Sequence, residues 1–174
     1  HEIGLGLVGS EMCIRDRDEL IRRGEVVRPD LLGAIQSGEL NETQATWAIW
    51  AIGHIDKDRG QGHEQMEYFS SGQWPKARTA NRGPSANYRL NIRIQATRIL
   101  GENRVTAATS LLIKLLADEE PRIRLAAMGS LDRIGWGKHS ATILNAVTNE
   151  SDRVTYYTLS LIHIPEPTRQ SPIS

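Results

Sequence analysis

A stretch of the chain recurs after 31 positions, and this recurrence limits what the chain can fold into. Asn91-Ile92-Arg93-Ile94-Gln95-Ala96-Thr97-Arg98-Ile99-Leu100 aligns with Arg122-Ile123-Arg124-Leu125-Ala126-Ala127-Met128-Gly129-Ser130-Leu131. Ile92 falls on Ile123, Arg93 on Arg124, Ala96 on Ala127 and Leu100 on Leu131. A further step of 31 carries Ile123 to Val154, within Asp152-Arg153-Val154-Thr155-Tyr156-Tyr157. A step of 48 backwards carries Ala96, Leu100 and Gly101 to Ala48, Ile52 and Gly53. Four related helices are expected, the last running into the C-terminal segment. A period of this length marks a repeat architecture.

Three of these helices have an amphipathic partner before them. Leu112, Ile113 and Leu116 lie within 106–117, and 31 positions on stand Ile143, Leu144 and Val147 within 140–148. Leu31, Leu32 and Ile35 show the same i, i+1, i+4 pattern, which places apolar groups on one helical face. Asn41 with Gln44 forms a capping box ahead of the helix from Glu42. Pro29 and Pro121 suit first helical turns, where the missing N–H is no loss. Gly101 and Gly135 are read as helix ends, and His54 likewise ends its helix. No segment alternates with period two. The expected fold is therefore all-α: an α-solenoid of stacked antiparallel helix pairs, about three complete repeats plus a truncated one. Such pairs cannot bury their apolar faces alone, so neighbours must stack. Ala48, Ala96 and Ala127 share one repeated site, which predicts a close approach of the inner helices.

Composition agrees with an ordinary globular chain. Among 174 residues, 39% are hydrophobic and 24% charged, with 21 acids against 21 bases. That excludes a collagenous chain, a disulfide scaffold and a strongly disordered one. No apolar run reaches the roughly 18 residues of a membrane span. Zero net charge argues against nucleic acid as the main partner. Gly4-Leu5-Gly6-Leu7-Val8-Gly9 matches G-x-G-x-x-G in form. That motif binds a pyrophosphate only between a strand and a helix. Three residues before Gly4 are too few for the strand.

The run Asp118 to Leu131 resembles the second helix of a HEAT repeat: an acid-rich turn, apolar-Arg, paired alanines and Leu. Asn91 to Leu100 is similar, with Gln95 in place of one alanine. Glu42 to Ile55 departs further, having Gln44 at the apolar position and no arginine. The resemblance implies a scaffold or protein-interaction role, and it also extends to bilin-lyase-like members. Arg22-Arg23-Gly24-Glu25 to Pro29, with Thr46 to Gly53, resembles HEAT-like regions of large bacterial multidomain proteins. In those, a sorbosone-dehydrogenase-like propeller is joined to a cytochrome c-like haem module. This chain has no Cys-x-x-Cys-His. Gly6 to Arg17 resembles a translated sequencing adapter, and Leu159 to Ser174 another reading of one. The expected organisation is a non-native segment over 1–17, a HEAT-like domain over 18–158 with an inserted loop at about 57–85, and a non-native tail over 159–174.

No residue set carries catalysis, cofactor binding or metal binding in this reading. His54, His63 and His139 lack ligand spacing to one another. His63 and Glu67 are read as a solvated i,i+4 pair. Arg93, Arg124 and Arg153 recur near the starts of second helices. The HEAT resemblance implies that they pair with turn acids of the same or adjacent repeat, which Asp118, Glu119, Glu120, Glu150 and Asp152 supply. Trp47 and Trp50 are expected to pack in the core. The insertion is the distinctive element, because long loops in compact domains often bind. Trp74 stands there near Lys76, Arg78 and Arg82, a possible partner-binding set of one aromatic and three cations. The chain is thus expected to be a non-catalytic scaffold or interaction module. Its expected partner is a protein or a neighbouring domain of the same parent chain, with no nucleic acid. The alternative is an accessory region of an oxidoreductase or a lyase-like repeat protein.

Overall fold

The structure, a computed structural model, describes residues 14–59, 63–74, 85–135 and 139–162. Among the described residues all regular structure is helical. The helices are α1 (Ile14–Arg23), α2 (Arg28–Ser37), α3 (Glu42–Arg59), α4 (His63–Ser70), α5 (Ala86–Glu102), α6 (Thr109–Leu115), α7 (Pro121–Ile134), α8 (Ser140–Thr148) and α9 (Arg153–Ile162). Short 3-10 turns precede α2 and α6.

Local chemistry sets the helix starts. The Gln44 N–H donates to Asn41 Oδ1 at 2.9 Å, and the Asn41 N–H donates to Gln44 Oε1 at 3.0 Å, so the expected capping box opens α3. Ser85 Oγ accepts from the Tyr88 N–H at 3.1 Å and opens α5. Pro121 is the first residue of α7, whose cap Glu120 accepts from the Arg122 N–H. Asp152 Oδ2 accepts from the Thr155 N–H at 2.7 Å and opens α9. Gly135 ends α7 with φ of 97°, a left-handed value that strains a residue bearing Cβ.

The helices pair as α2 with α3, α4 with α5, α6 with α7, and α8 with α9. The second helices stack directly, α3 on α5 on α7 on α9, while α1 packs against the free side of α3. The first helices of successive pairs make at most marginal contact with one another. This is an α-solenoid of stacked pairs. One continuous core runs through it, including Leu31, Ile49, Ile92, Leu112, Ile123 and Leu131. Ala48, Ala96 and Ala127 are all buried, as the repeated small site requires. Ala127→Leu is expected to overpack the α7 interface and lower unfolding free energy by about 1–3 kcal/mol. Urea denaturation checks this, and a loss of only a few tenths would remove the site from the packed seam.

Several expectations change. Residues 63–70, a short helical candidate within the inserted stretch, form α4, but this helix is no appendage: Met66 and Phe69 are buried and it is the first member of the second pair. The surplus length therefore lies in residues 71–85, between α4 and α5. His54 does not end a helix, because α3 continues to Arg59. Gly101 does lie at the end of its helix, as the next-to-last residue of α5, but it is helical and pressed against α7. The final repeat step is 32, not 31. The Arg124 N–H donates to Glu120 O and the Tyr156 N–H to Asp152 O, so Asp152 stands where Glu120 stood. Thr155 thus takes the buried place of Ile123, and Val154 is 72% exposed. The extra residue sits in the turn, where it costs little but shifts every later side chain round the helix.

Candidate interaction surfaces

The turn edge of the stack is a chain of arginine–carboxylate links. Arg93, expected near a helix start but lying midway along α5, which begins at Ala86, donates to Asp118 Oδ2 at 2.5 Å, and its Nε reaches Ser70 O at 3.3 Å. Arg124, one repeat on, holds Glu150 in a two-pronged pair at 2.7 and 2.5 Å and also donates to Asp118 O. Each arginine therefore ties its own repeat to the acid in the next turn. This is the pairing expected for Arg93 and Arg124. Arg153 is not the third member. Being the first residue of α9, it lies 5.6 Å from the Tyr157 ring centroid, and the one-residue shift gives its expected place to Tyr156. A further link was not foreseen: Arg28 donates to both oxygens of the buried Asp56, at 2.7 and 3.2 Å, joining α2 to α3.

These links have a pH signature. The hydrogen bonds from Arg124 hold the Glu150 carboxyl below the usual carboxylate range, against an opposing push from burial and with help from the Asp152 N–H. A depressed carboxylate stabilises the fold above its unfolded pKa of about 4.3. That contribution is lost as pH falls through the folded value. Glu150→Gln should therefore destabilise by about 1–3 kcal/mol at pH 7, since Arg124 keeps its charge without an anion. The gap between native chain and variant should narrow as pH falls from about 5 to 2. Denaturation at several pH values checks it, and a gap independent of pH would contradict the assignment.

Trp74 is half-buried. Its ring centroid lies 5.4 Å from Phe69 and 6.2 Å from Tyr88, so the ring docks on α4 and α5 at the start of the α4–α5 connection. Its buried Nε1–H finds no acceptor among the described residues. Burial pushes the neighbouring Tyr88 phenol up to about 12, and its hydroxyl donates to Ile35 O at 3.2 Å. Lys76, Arg78 and Arg82, expected beside Trp74, lie outside the described residues, as does the glycine motif at 4–9.

Trp47 and Trp50 do not enter the core. They are half-buried, with ring centroids 6.3 Å apart in an edge-to-face pair, and His54 lies against Trp50 at 3.8 Å. Their place follows from α3 itself. The inward arc is taken by Ala45, Ala48, Ile49, Ala51, Ile52 and Ile55, and the small members of that set allow neighbouring helices to close up. An indole has no room there, so positions 47, 50 and 54 fall on the outward arc.

Two hollows lie on the surface of the described residues. A cleft of about 160 Å³ lies among α3, α4 and α5, lined by Asp56, His63, Met66, Ile99 and Asn103. A shallower groove of about 400 Å³ separates α6 from α8, with Ile113, Leu116 and Ala146 along it and the Arg124–Glu150 pair at one side. The acid in each is already held by an arginine. Among the described residues no three His, Cys, Asp or Glu side chains converge as a metal cluster would require. No described helix is long and apolar enough to cross a membrane.

Stacked helix pairs with a continuous layer of second helices define the class of helical-repeat proteins. Within that class, residues 86–159, from the start of α5 into α9, match the family model of HEAT repeats. No curated protein and no solved structure matches the chain.

Proposed function

We propose that this chain is a non-catalytic scaffold or interaction module that holds a protein partner or a neighbouring domain of its parent chain. The observation that carries the reading is the linked stack. Core packing and the Arg93–Asp118 and Arg124–Glu150 links hold successive repeats in one array, so side chains on different helices keep fixed spacings. A surface preorganised in this way loses little conformational entropy on binding. HEAT repeats, which match over 86–159, are commonly interaction scaffolds. The connection after Trp74 is the second part of the proposal: Trp74 anchors an acidic partner, and Lys76, Arg78 and Arg82 steer it.

Cross-linking in a native extract, followed by titration with the purified captured protein, tests the reading. Saturable binding is expected. Replacing Lys76, Arg78 and Arg82 by glutamate should weaken it at least about tenfold, with helicity unchanged. Absence of saturable binding to any purified candidate would overturn the module. Unchanged affinity in the triple variant would remove the basic segment from it.

A further inference from the structure

We propose that the outward face of the second-helix layer docks an extended acidic segment of a partner protein, with Trp50 as its aromatic anchor and Arg98 and Arg133 as successive cationic contacts. This inference rests on the interaction-module reading and names its surface and the chemistry of its partner.

The row is built by helix register. Asn91 Nδ2 donates to Glu42 Oε2 at 3.1 Å, and Asn103 Nδ2 donates to Gly53 O at 2.9 Å. Two bonds with nearly the same offset, at opposite ends, make α3 and α5 run side by side. Trp50 therefore stands level with Arg98. The next crossing is set by Ser130 Oγ, which donates to Thr97 O at 2.7 Å, and by the contact of Gly101 with Ser130. Gly129 thus follows Arg98 in the row. It has no side chain, and Arg133 Nη1 lies 4.0 Å from where its Cβ would be, so the guanidinium stands over that place. Across three helices the order is indole, guanidinium, guanidinium.

The two cations differ from those of the turn edge. Arg28, Arg93, Arg122 and Arg124 are each held by a carboxylate. Arg98 and Arg133 are exposed and have no carboxylate partner among the described residues. Trp50, by contrast, is already oriented between Trp47 and His54. Trp and Arg are the side chains that most often dominate binding energy at interfaces. Charge complementarity selects an acidic occupant. Packed helices lie about 8–10 Å apart, and an extended chain advances about 3.3 Å per residue. A peptide crossing the layer thus meets a new helix every third residue. A nucleic acid fits less well, because a phosphate backbone calls for a continuous basic stripe and the chain has no net positive charge.

The probe is a fluorescein-labelled peptide with one phenylalanine and glutamates three and six positions after it, in a Ser/Gly background. It is titrated with the full chain at low salt. Two controls accompany it: the same peptide with lysines for glutamates, and a single-stranded oligothymidylate. Saturable binding of the glutamate peptide alone is expected. Trp50→Ala and Arg98→Glu should each weaken it at least about tenfold, while Arg98→Lys retains most of it and far-ultraviolet circular dichroism stays unchanged. If Trp50→Ala loses helicity, the exposed Arg98 pair decides. No saturable binding, equal binding by Arg98→Glu, or tighter binding of oligothymidylate would overturn the proposal. If the captured partner still saturates the Arg98→Glu chain with full affinity, the module stands and this face is wrong; if no captured protein saturates the native chain, the module itself fails.

Discussion

Gly101→Leu should cost about 3 kcal/mol or more, at the upper end of what overpacking does. A Cβ on Gly101 would lie 2.5 Å from Ser130 Cα and 2.6 Å from Ser130 Cβ. The first of these is backbone and cannot rotate away, so α5 and α7 must separate. That seam also carries the buried Ser130–Thr97 hydrogen bond, which separation would weaken. Gly53 makes the corresponding approach to Ile99, one pair earlier. The internal control is Gly33→Ala. Gly33 lies in α2 with nothing within 4 Å of a Cβ, so alanine there should stabilise by about 0.5–1 kcal/mol through helix propensity. Opposite signs in urea denaturation are expected. A Gly101→Leu chain as stable as the native one would refute the close crossing.

The second large effect is expected at Phe69. Its ring is fully buried in α4, with Tyr68 and Trp74 beside it. Phe69→Ala should lower unfolding free energy by about 3–5 kcal/mol, the usual cost of losing a buried phenyl ring and leaving a cavity. The result separates two views of residues 57–85. If α4 is the first helix of a repeat, the loss is global and one cooperative transition shifts. If the region were an appended loop, the main transition would stay in place. Near-ultraviolet circular dichroism should change as well, because Trp74 loses the ring it docks on.

Local signals are legible in the sequence because they act over a few residues. The Asn41–Gln44 box, the prolines of first turns and the Gly135 stop need only their own helix ends to be satisfied. The repeat was legible for a related reason. Ala48, Ala96 and Ala127 recur because each second helix must meet its neighbour closely, and period and residue size show that in one dimension. The pairing of Arg93 and Arg124 with turn acids is what the HEAT-repeat resemblance implies.

Register failed where the chain length between elements changed. One extra residue before α9 put Thr155 inside and Val154 outside, since a single step turns a helix by about 100°. The long connection after α4 hid that helix from the 31-residue period. Trp47 and Trp50 take the outer arc against expectation because the middle of α3, from Trp47 to Gly53, has no polar side chain, and apolarity alone does not say which arc neighbours will occupy. Gly101 stands in the last turn of α5, as the sequence suggests, but its second role, a missing Cβ that lets two helices touch, shows only in the packing. The amino-acid sequence by itself determined the helices, their caps, the repeat and the small-residue seam, because these depend on neighbours along the chain. Only the tertiary structure decided which arc of each helix faces solvent, and so placed Trp50, Arg98 and Arg133 in one row, because that arc is whatever the packed neighbours leave uncovered.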